Sequence, residues 1–192
     1  MVNEQDEKTV LDKFIEDIVK IINKHADYVI VGGFIAIAHG RSRATEDIDM
    51  IIEPLSEQKF AELHKELLKS GFECIQGGSA SFLYRTYLLH GDGIRYVRKG
   101  EFIPQLELKF AKDKLDEYTL KTKTKLPFTG LDVYFANIET TIAFKEELLG
   151  SRKDIEDAKH LRIVYEDKLN DKEIEKIKKM IRLVKLGKNG KR

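Results

Sequence analysis

The chain is poor in several things at once. Its 192 residues include one cysteine, no tryptophan, three prolines and three methionines. A lone cysteine, Cys74, excludes an intrachain disulfide framework and points to an intracellular setting. No apolar run approaches the roughly 20 residues that a membrane-spanning helix needs. The opening "MVNEQDEK" is charged where a secretory signal is apolar. An excess of one charge sign is also missing. The 34 Lys and Arg stand against 33 Asp and Glu, a formal charge of +1, so bulk electrostatics point to no polyanionic partner. These absences predict a soluble cytoplasmic protein with no membrane association. Lys and Glu are abundant, a balance that resembles a thermophile's proteome. The length suits one domain with an appended part, or two small ones, and is enough to bury a real core.

Apolar periodicity divides the chain. Val10, Leu11, Phe14, Ile15, Ile18, Ile21 and Ile22 recur at helical spacing and predict a helix over 8–24. "YVIV" (28–31) predicts a short buried strand, broken by Gly32 and Gly33. "FIAIAHG" predicts a short buried helix ending near Gly40, and "IDMIIE" (48–53) a second strand. Pro54 and Ser56 open a further helix through about Ser70, with Phe60, Leu63, Leu67 and Leu68 inward. The pieces "FECIQ", "SFLYRTYLL", "IRYVRKGEF" and "QLELKF" read as strands, with turns at "HGDG" and "RKG", and "LDVYFA" (131–136) as another strand. Beyond Asn137 the pattern is helical, over about 138–149, 153–166 and 171–187, and "GKNGKR" reads as a frayed tail. Strands and helices alternate and helices close the chain. The expected class is therefore α/β or α+β, with a core over 1–136 and a C-terminal helical subdomain over 137–192.

The chemistry concentrates in "VIVGGFIAIAHGRSRATEDIDMII" (29–52). A strand ending in Gly-Gly lets the backbone approach a bulky anion such as a triphosphate, because no Cβ intervenes. The helix that follows points its first N–H groups at the same space. Asp47 and Asp49 are two apart on a strand, so both point to one side. Two such carboxylates repel unless a cation lies between them, and Mg²⁺ binds through a few carboxylates and substrate phosphates. Alone, either element is commonplace: Gly-Gly is usually a turn and Asp-x-Asp a solvated strand end. "QGGSASF" (76–82) shows this within the chain, since no Asp-x-Asp follows it and it reads as a loop.

The whole pattern resembles the nucleotidyltransferase fold of the DNA polymerase beta superfamily. It comprises an apolar strand, Gly32-Gly33, about a dozen residues, then Arg43-x-Thr45-x-Asp47-Ile48-Asp49 and more apolar residues. The resemblance implies a nucleotidyltransferase-like mixed β-sheet flanked by helices, and a third acid on a later strand. Periodicity offers two candidates, Glu107 in "QLELKF" and Asp132 in "LDVYF", and cannot separate them. "LDVYFANIETTIAFKEELLGSRKDIEDAKHL" resembles the closing segment of a branch that includes abortive-infection toxins. In that branch a short strand leads to a helix bearing one lysine, then a basic residue followed by Asp-x-x-Asp. Matched to it, Lys145, Arg152 or Lys153, Asp154 and Asp157 take those places, and the third acid comes one strand earlier, at Glu107. Asp is more usual there than Glu. Read without the resemblance, Lys145 is a solvated helix lysine and Asp154 and Asp157 are first-turn acids suited to a helix N-terminus.

The implied activity is Mg²⁺-dependent transfer of an NMP from an NTP to an acceptor hydroxyl, with Mn²⁺ as an alternative ion. Asp47, Asp49 and Glu107 would hold metal. Gly32 and Gly33 would seat the triphosphate. Arg43 and Thr45 would line its entrance, and Lys145, free to reach the cleft from a helix anchored by Ile142, Leu148 and Leu149, would contact phosphates near Asp154 and Asp157. The acceptor stays open between an RNA end such as tRNA, a protein and a small molecule. The rival is a nucleotidyltransferase-like binding module or toxin–antitoxin component, partnered by a cognate antitoxin protein, with little turnover. Nothing else competes. His25, His39, His64, His90 and His160 lack zinc-ligand spacing, no P-loop or nucleophile elbow occurs, and Cys74 reads as core. The basic side chains from Lys176 to Arg192 fit either an RNA backbone contact or a solvated helix face with Ile174, Ile177, Ile181 and Val184 inward.

Overall fold

The computed structural model of the chain describes residues 8–45 and 47–189. The charged opening residues 1–7 and the tail positions Lys191 and Arg192 lie outside them. Helix α1 (Val10–Ile22) buries Phe14, Ile15, Ile18, Ile21 and Ile22 on one stripe. Thr9 caps it: its side chain accepts from the Asp12 N–H, and the Asp12 carboxylate accepts from the Thr9 N–H. Strand β1 (Tyr28–Val31), helix α2 (Phe34–Ala38) and strand β2 (Asp47–Ile52) follow as the apolar runs predict. Helix α3 (Glu57–Lys69) starts at the Ser56 cap and buries Phe60, Leu63 and Leu67. Leu68 was expected inside but is 46% exposed. Each residue turns the helix by about 100°, and buried His64 already marks the edge of the stripe.

Strands β3 (Phe72–Cys74), β4 (Ile94–Arg98) and β5 (Gln105–Phe110) complete a five-stranded mixed sheet in the order β1-β2-β5-β4-β3. β2 and β5 are parallel, and the other neighbours are antiparallel. "SFLYRTYLL" is not a strand. Ser79 accepts from the Phe82 N–H at 3.2 Å and starts helix α4 (Ala80–Thr86), followed by a 3₁₀ turn at Leu88–His90. Its apolar residues do not alternate inward: Leu83 and Leu88 are buried while Phe82 and Leu89 face solvent. "LDVYFA" is also not a strand. It meets β1 at a single bridge, Ile30 to Phe135, and meets Thr124 on its other side. Helix α5 (Lys114–Lys121), capped by Asp113, has no clear apolar period and was not anticipated.

The C-terminal helices are α6 (Ile138–Ala143), which runs on into a π turn at Phe144–Leu149, α7 (Arg152–Val164) and α8 (Asp171–Asn189). One core crosses the expected boundary after residue 136, uniting Ile30, Ile48 and Phe135 with Ile142, Leu161 and Ile177. α8 turns Ile174, Ile177 and Ile181 into that core and leaves Lys176, Lys179, Arg182 and Lys185 exposed, an amphipathic solvated face. Among the described residues, no helix is long and apolar enough to cross a membrane.

Candidate active site

Strand alternation sorts β2 and β5 cleanly. Ile48, Met50, Leu106 and Leu108 are fully buried, while Asp47, Asp49, Gln105, Glu107 and Lys109 stand on the opposite, half-buried face. The parallel register sets Asp49 directly beside Glu107, and the antiparallel register sets Val31 beside Asp49 and Arg95 beside Glu107. One row across the sheet therefore reads Arg95, Glu107, Asp49, Val31, with Gly32 next along the chain. Asp132 is elsewhere. Its side chain is 84% exposed and pairs with Lys125.

Gly32 is required by its surroundings, and Gly33 leaves room for a neighbouring side chain. Gly32 has φ of +78°, and a Cβ there would lie 2.0 Å from Asp49 Oδ2. A Cβ on Gly33 would meet the Arg43 guanidinium at 2.9 Å. The turn thus lies bare between a carboxylate and a guanidinium. Thr45 donates its hydroxyl to the Asp47 carbonyl at 3.1 Å and so fixes the start of β2.

A buried ion cluster joins this turn to the C-terminal helices. Asp157 is fully buried and accepts from Arg43 Nη1 at 2.5 Å and from Lys145 Nζ at 2.6 Å on one oxygen, while Arg41 pairs with the other. Arg41 also reaches Glu156 at 2.8 Å. Lys145 donates to Asp154 at 3.2 Å as well. Lys145 is therefore not a free side chain reaching out of a helix. It is 2% exposed and held by two carboxylates. Lys145 falls three residues after Ile142 and seven after Ile138, on the buried stripe of the helix, and the π turn then shifts the register and leaves Leu149, expected inside, 55% exposed. Burial pushes the Lys145 ammonium below its ordinary value, Asp154 opposes this, and Arg43 and Arg41 add to it. Asp154 is held low: burial raises it, but the Ser151 hydroxyl and Lys145 outweigh that.

A cleft of about 460 Å³ opens between the sheet face, α5, the α6–π segment and α8, lined by Gly32, Asp49, Lys109, Asp116, Thr140 and Lys145 among others. Asp49 is pushed above the usual carboxylate range by burial first and by the charge of Glu107 second, with Asp47 adding, while Lys109 and Lys145 oppose. Carboxylate oxygens of this kind are hard donors and suit a divalent cation such as Mg²⁺. Their side chains do not yet converge: among the described residues, no three His, Cys, Asp or Glu are gathered closely enough to hold a metal ion. The Glu107 carboxylate is turned to Arg95 instead.

Of the sequence-predicted residues, the fold brings Gly32, Gly33, Thr45, Asp47, Asp49 and Glu107 to one end of β1, β2 and β5. It gathers Arg43, Lys145, Asp154 and Asp157 into one cluster beside them. Sequence reasoning missed Arg41 and Arg95. Arg41 lies two residues before Arg43 in an irregular segment, where i and i+2 can share a side. Arg95 shows itself only through its strand partner.

No protein-family model and no curated protein matches the chain. Solved structures do. The antibiotic-resistance factor ANT(2″)-Ia in solution is similar at a TM-score of 0.56 and 14% identity, over 96% of this chain and 97% of that one. ANT(2″)-Ia in complex with adenylyl-2″-tobramycin is similar at a TM-score of 0.53 and 17% identity, over 91% and 98%. At such identities the likeness carries the fold: a nucleotidyltransferase-like mixed sheet flanked by helices.

Proposed function

We propose that this chain is a Mg²⁺-dependent nucleotidyltransferase that moves a nucleoside monophosphate from an NTP to an acceptor hydroxyl and releases pyrophosphate. The observation that carries this reading is the row across the sheet: Glu107 directly opposite Asp49, Asp47 on the same face, and a glycine turn packed against Asp49. Asp47, Asp49 and Glu107 would hold Mg²⁺, or Mn²⁺ in its place, and the bound ion would neutralise phosphate charge and ease deprotonation of the attacking hydroxyl. Glu107 takes the acceptor proton on a carboxylate oxygen. Gly32 and Gly33 leave the backbone bare for the triphosphate. Lys145 and Arg43 supply positive charge to the phosphates. Asp157, fully buried, acts on the nucleotide only by holding those two cations, and Asp154 orders Lys145.

The acceptor could be a small-molecule hydroxyl, by analogy with the adenylyl-2″-tobramycin complex of ANT(2″)-Ia, an RNA end such as that of tRNA, or a protein hydroxyl. Incubation with each α-labelled NTP, Mg²⁺, and in turn an aminoglycoside, total RNA and lysate protein tests this. Label is expected in one acceptor class, and none in any class with folded protein sinks the reading. A second reading is a nucleotide-binding module or toxin–antitoxin component, in the manner of the abortive-infection branch. It is favoured by the engagement of Glu107 with Arg95. It would show NTP-dependent stabilisation without label transfer, and a stable complex with an antitoxin protein.

A further inference from the structure

Glu107 has a neighbour on each side. Asp49 stands directly opposite it on β2 and Arg95 directly opposite it on β4, all on one face. The side chain leans to Arg95 and ion-pairs with it. It also lies over Gly93, where a Cβ would come 2.7 Å from Glu107 Cγ and 2.9 Å from Oε1. Gly93 does not adopt a positive φ, so its lack of a side chain provides room rather than conformational freedom. We infer that Arg95 and Gly93 form a parking place for Glu107, and that the three-acid site assembles only when Glu107 leaves it. Arg95 is then a positioning residue that acts through Glu107. The inference rests on the proposed metal-dependent function.

The latch is weak by construction. Its side chains are 43% and 27% exposed, and ion pairs that open to water hold only loosely. At equal distance a doubly charged ion attracts a carboxylate twice as strongly as a guanidinium does. A cation arriving with the nucleotide therefore draws Glu107 across to Asp49 and frees Arg95. In the empty protein, Arg95 supplies the countercharge.

Binding of Mn²⁺ alone, without nucleotide, tests this, read by electron paramagnetic resonance of the free ion. Arg95→Gln and Gly93→Ala, the second crowding the parked side chain, are each expected to bind Mn²⁺ about two- to fivefold tighter than wild type, the range for one exposed ion pair. Arg95→Lys should restore wild-type affinity. In a Glu107→Gln background, Arg95→Gln should bring no gain. Equal affinity in wild type, Arg95→Gln and Gly93→Ala overturns the latch. A gain that persists in the Glu107→Gln background also overturns it, because it would reflect charge repulsion at a distance. If the wild type and every variant bind no Mn²⁺, the metal-dependent function fails and the latch fails with it.

Discussion

Gly-Gly occurs twice in this chain, and the two turns keep different company. At the first, a Cβ on Gly32 would strike the Asp49 carboxylate and a Cβ on Gly33 the Arg43 guanidinium. At the second, Gly77 has nothing among the described residues within 4 Å of where its Cβ would be, and a Cβ on Gly78 would meet the Phe82 ring at 2.7 Å. Both Gly32 and Gly77 take positive φ, +78° and +62°. The second glycines differ, since Gly78 is left-handed at +90° and Gly33 is helical at −75°, so the two turns part in backbone shape as well as in the chemistry packed against them. The first turn is fitted to charge, and the second opens helix α4 against an aromatic ring.

Changes to the anchors of the two turns should sharpen that contrast most. Asp157→Asn leaves Arg41, Arg43 and Lys145 short of a buried counter-charge and should cost about 3–5 kcal/mol in chemical denaturation. Ser79→Ala, which removes the cap after the second turn, should cost about 1 kcal/mol by the same measurement.

The side chain against each turn comes next. Asp49→Ala should lower label transfer by about 10²–10³-fold, the scale for losing preorganised charge at a transition state. Phe82→Ala should leave transfer unchanged. Asp49→Ala protein that is folded and still transfers label would make the first turn as ordinary as the second. Glu107→Gln should lose most activity and Asp132→Asn little, and the reverse ranking would move the third acid to the exposed loop.

The glycines themselves follow. Gly77→Ala should cost only left-handed strain, about 1–2 kcal/mol, with activity intact. Gly32→Ala carries the same strain and also displaces Asp49, so it should lose transfer activity as well as stability. Parallel melts and label-transfer assays separate the two.

The smallest effect is one of pH. The folded-state value of Asp49 is raised above 3.8 by burial, so between 3.8 and that value the folded protein binds more protons than the unfolded chain. Stability therefore falls as pH rises through this window, and above it the full penalty of the buried charge applies. Asp49→Asn should melt higher than wild type at neutral pH in the absence of divalent cations, and the gap should close as pH falls toward 3.8. A gap that does not change with pH would show that Asp49 is not strained by its charge.

Much of this architecture was legible in the sequence because it rests on local period. The stripe of α1, the alternation of β2 and β5, and the Gly-Gly and Asp-x-Asp pattern all lie within short windows. What failed was tertiary. "SFLYRTYLL" has strand-like residue types, but the Ser79 cap and the burial of Leu83 and Leu88 make it a helix and a turn. Periodicity left Glu107 and Asp132 equal, and only the sheet order sets one beside Asp49. Lys145 sits three residues after Ile142, a spacing that puts it on the buried face, while its carboxylate partners on α7 and the π turn that exposes Leu149 leave no local signal.

The cluster around Asp157 also fixes when the site can exist. Arg43 and Asp157 are separated by 114 residues, and Arg41 and Glu156 by 115. During synthesis the glycine turn, the two aspartates and Glu107 all emerge before α7. Until α7 is made, both arginines lack their carboxylate partners, and Lys145 has neither of its own. Loop closure over so long a stretch is slow compared with forming the local helices. The nascent chain therefore carries its acids early and gains the ion cluster beside them only after α7 has been made.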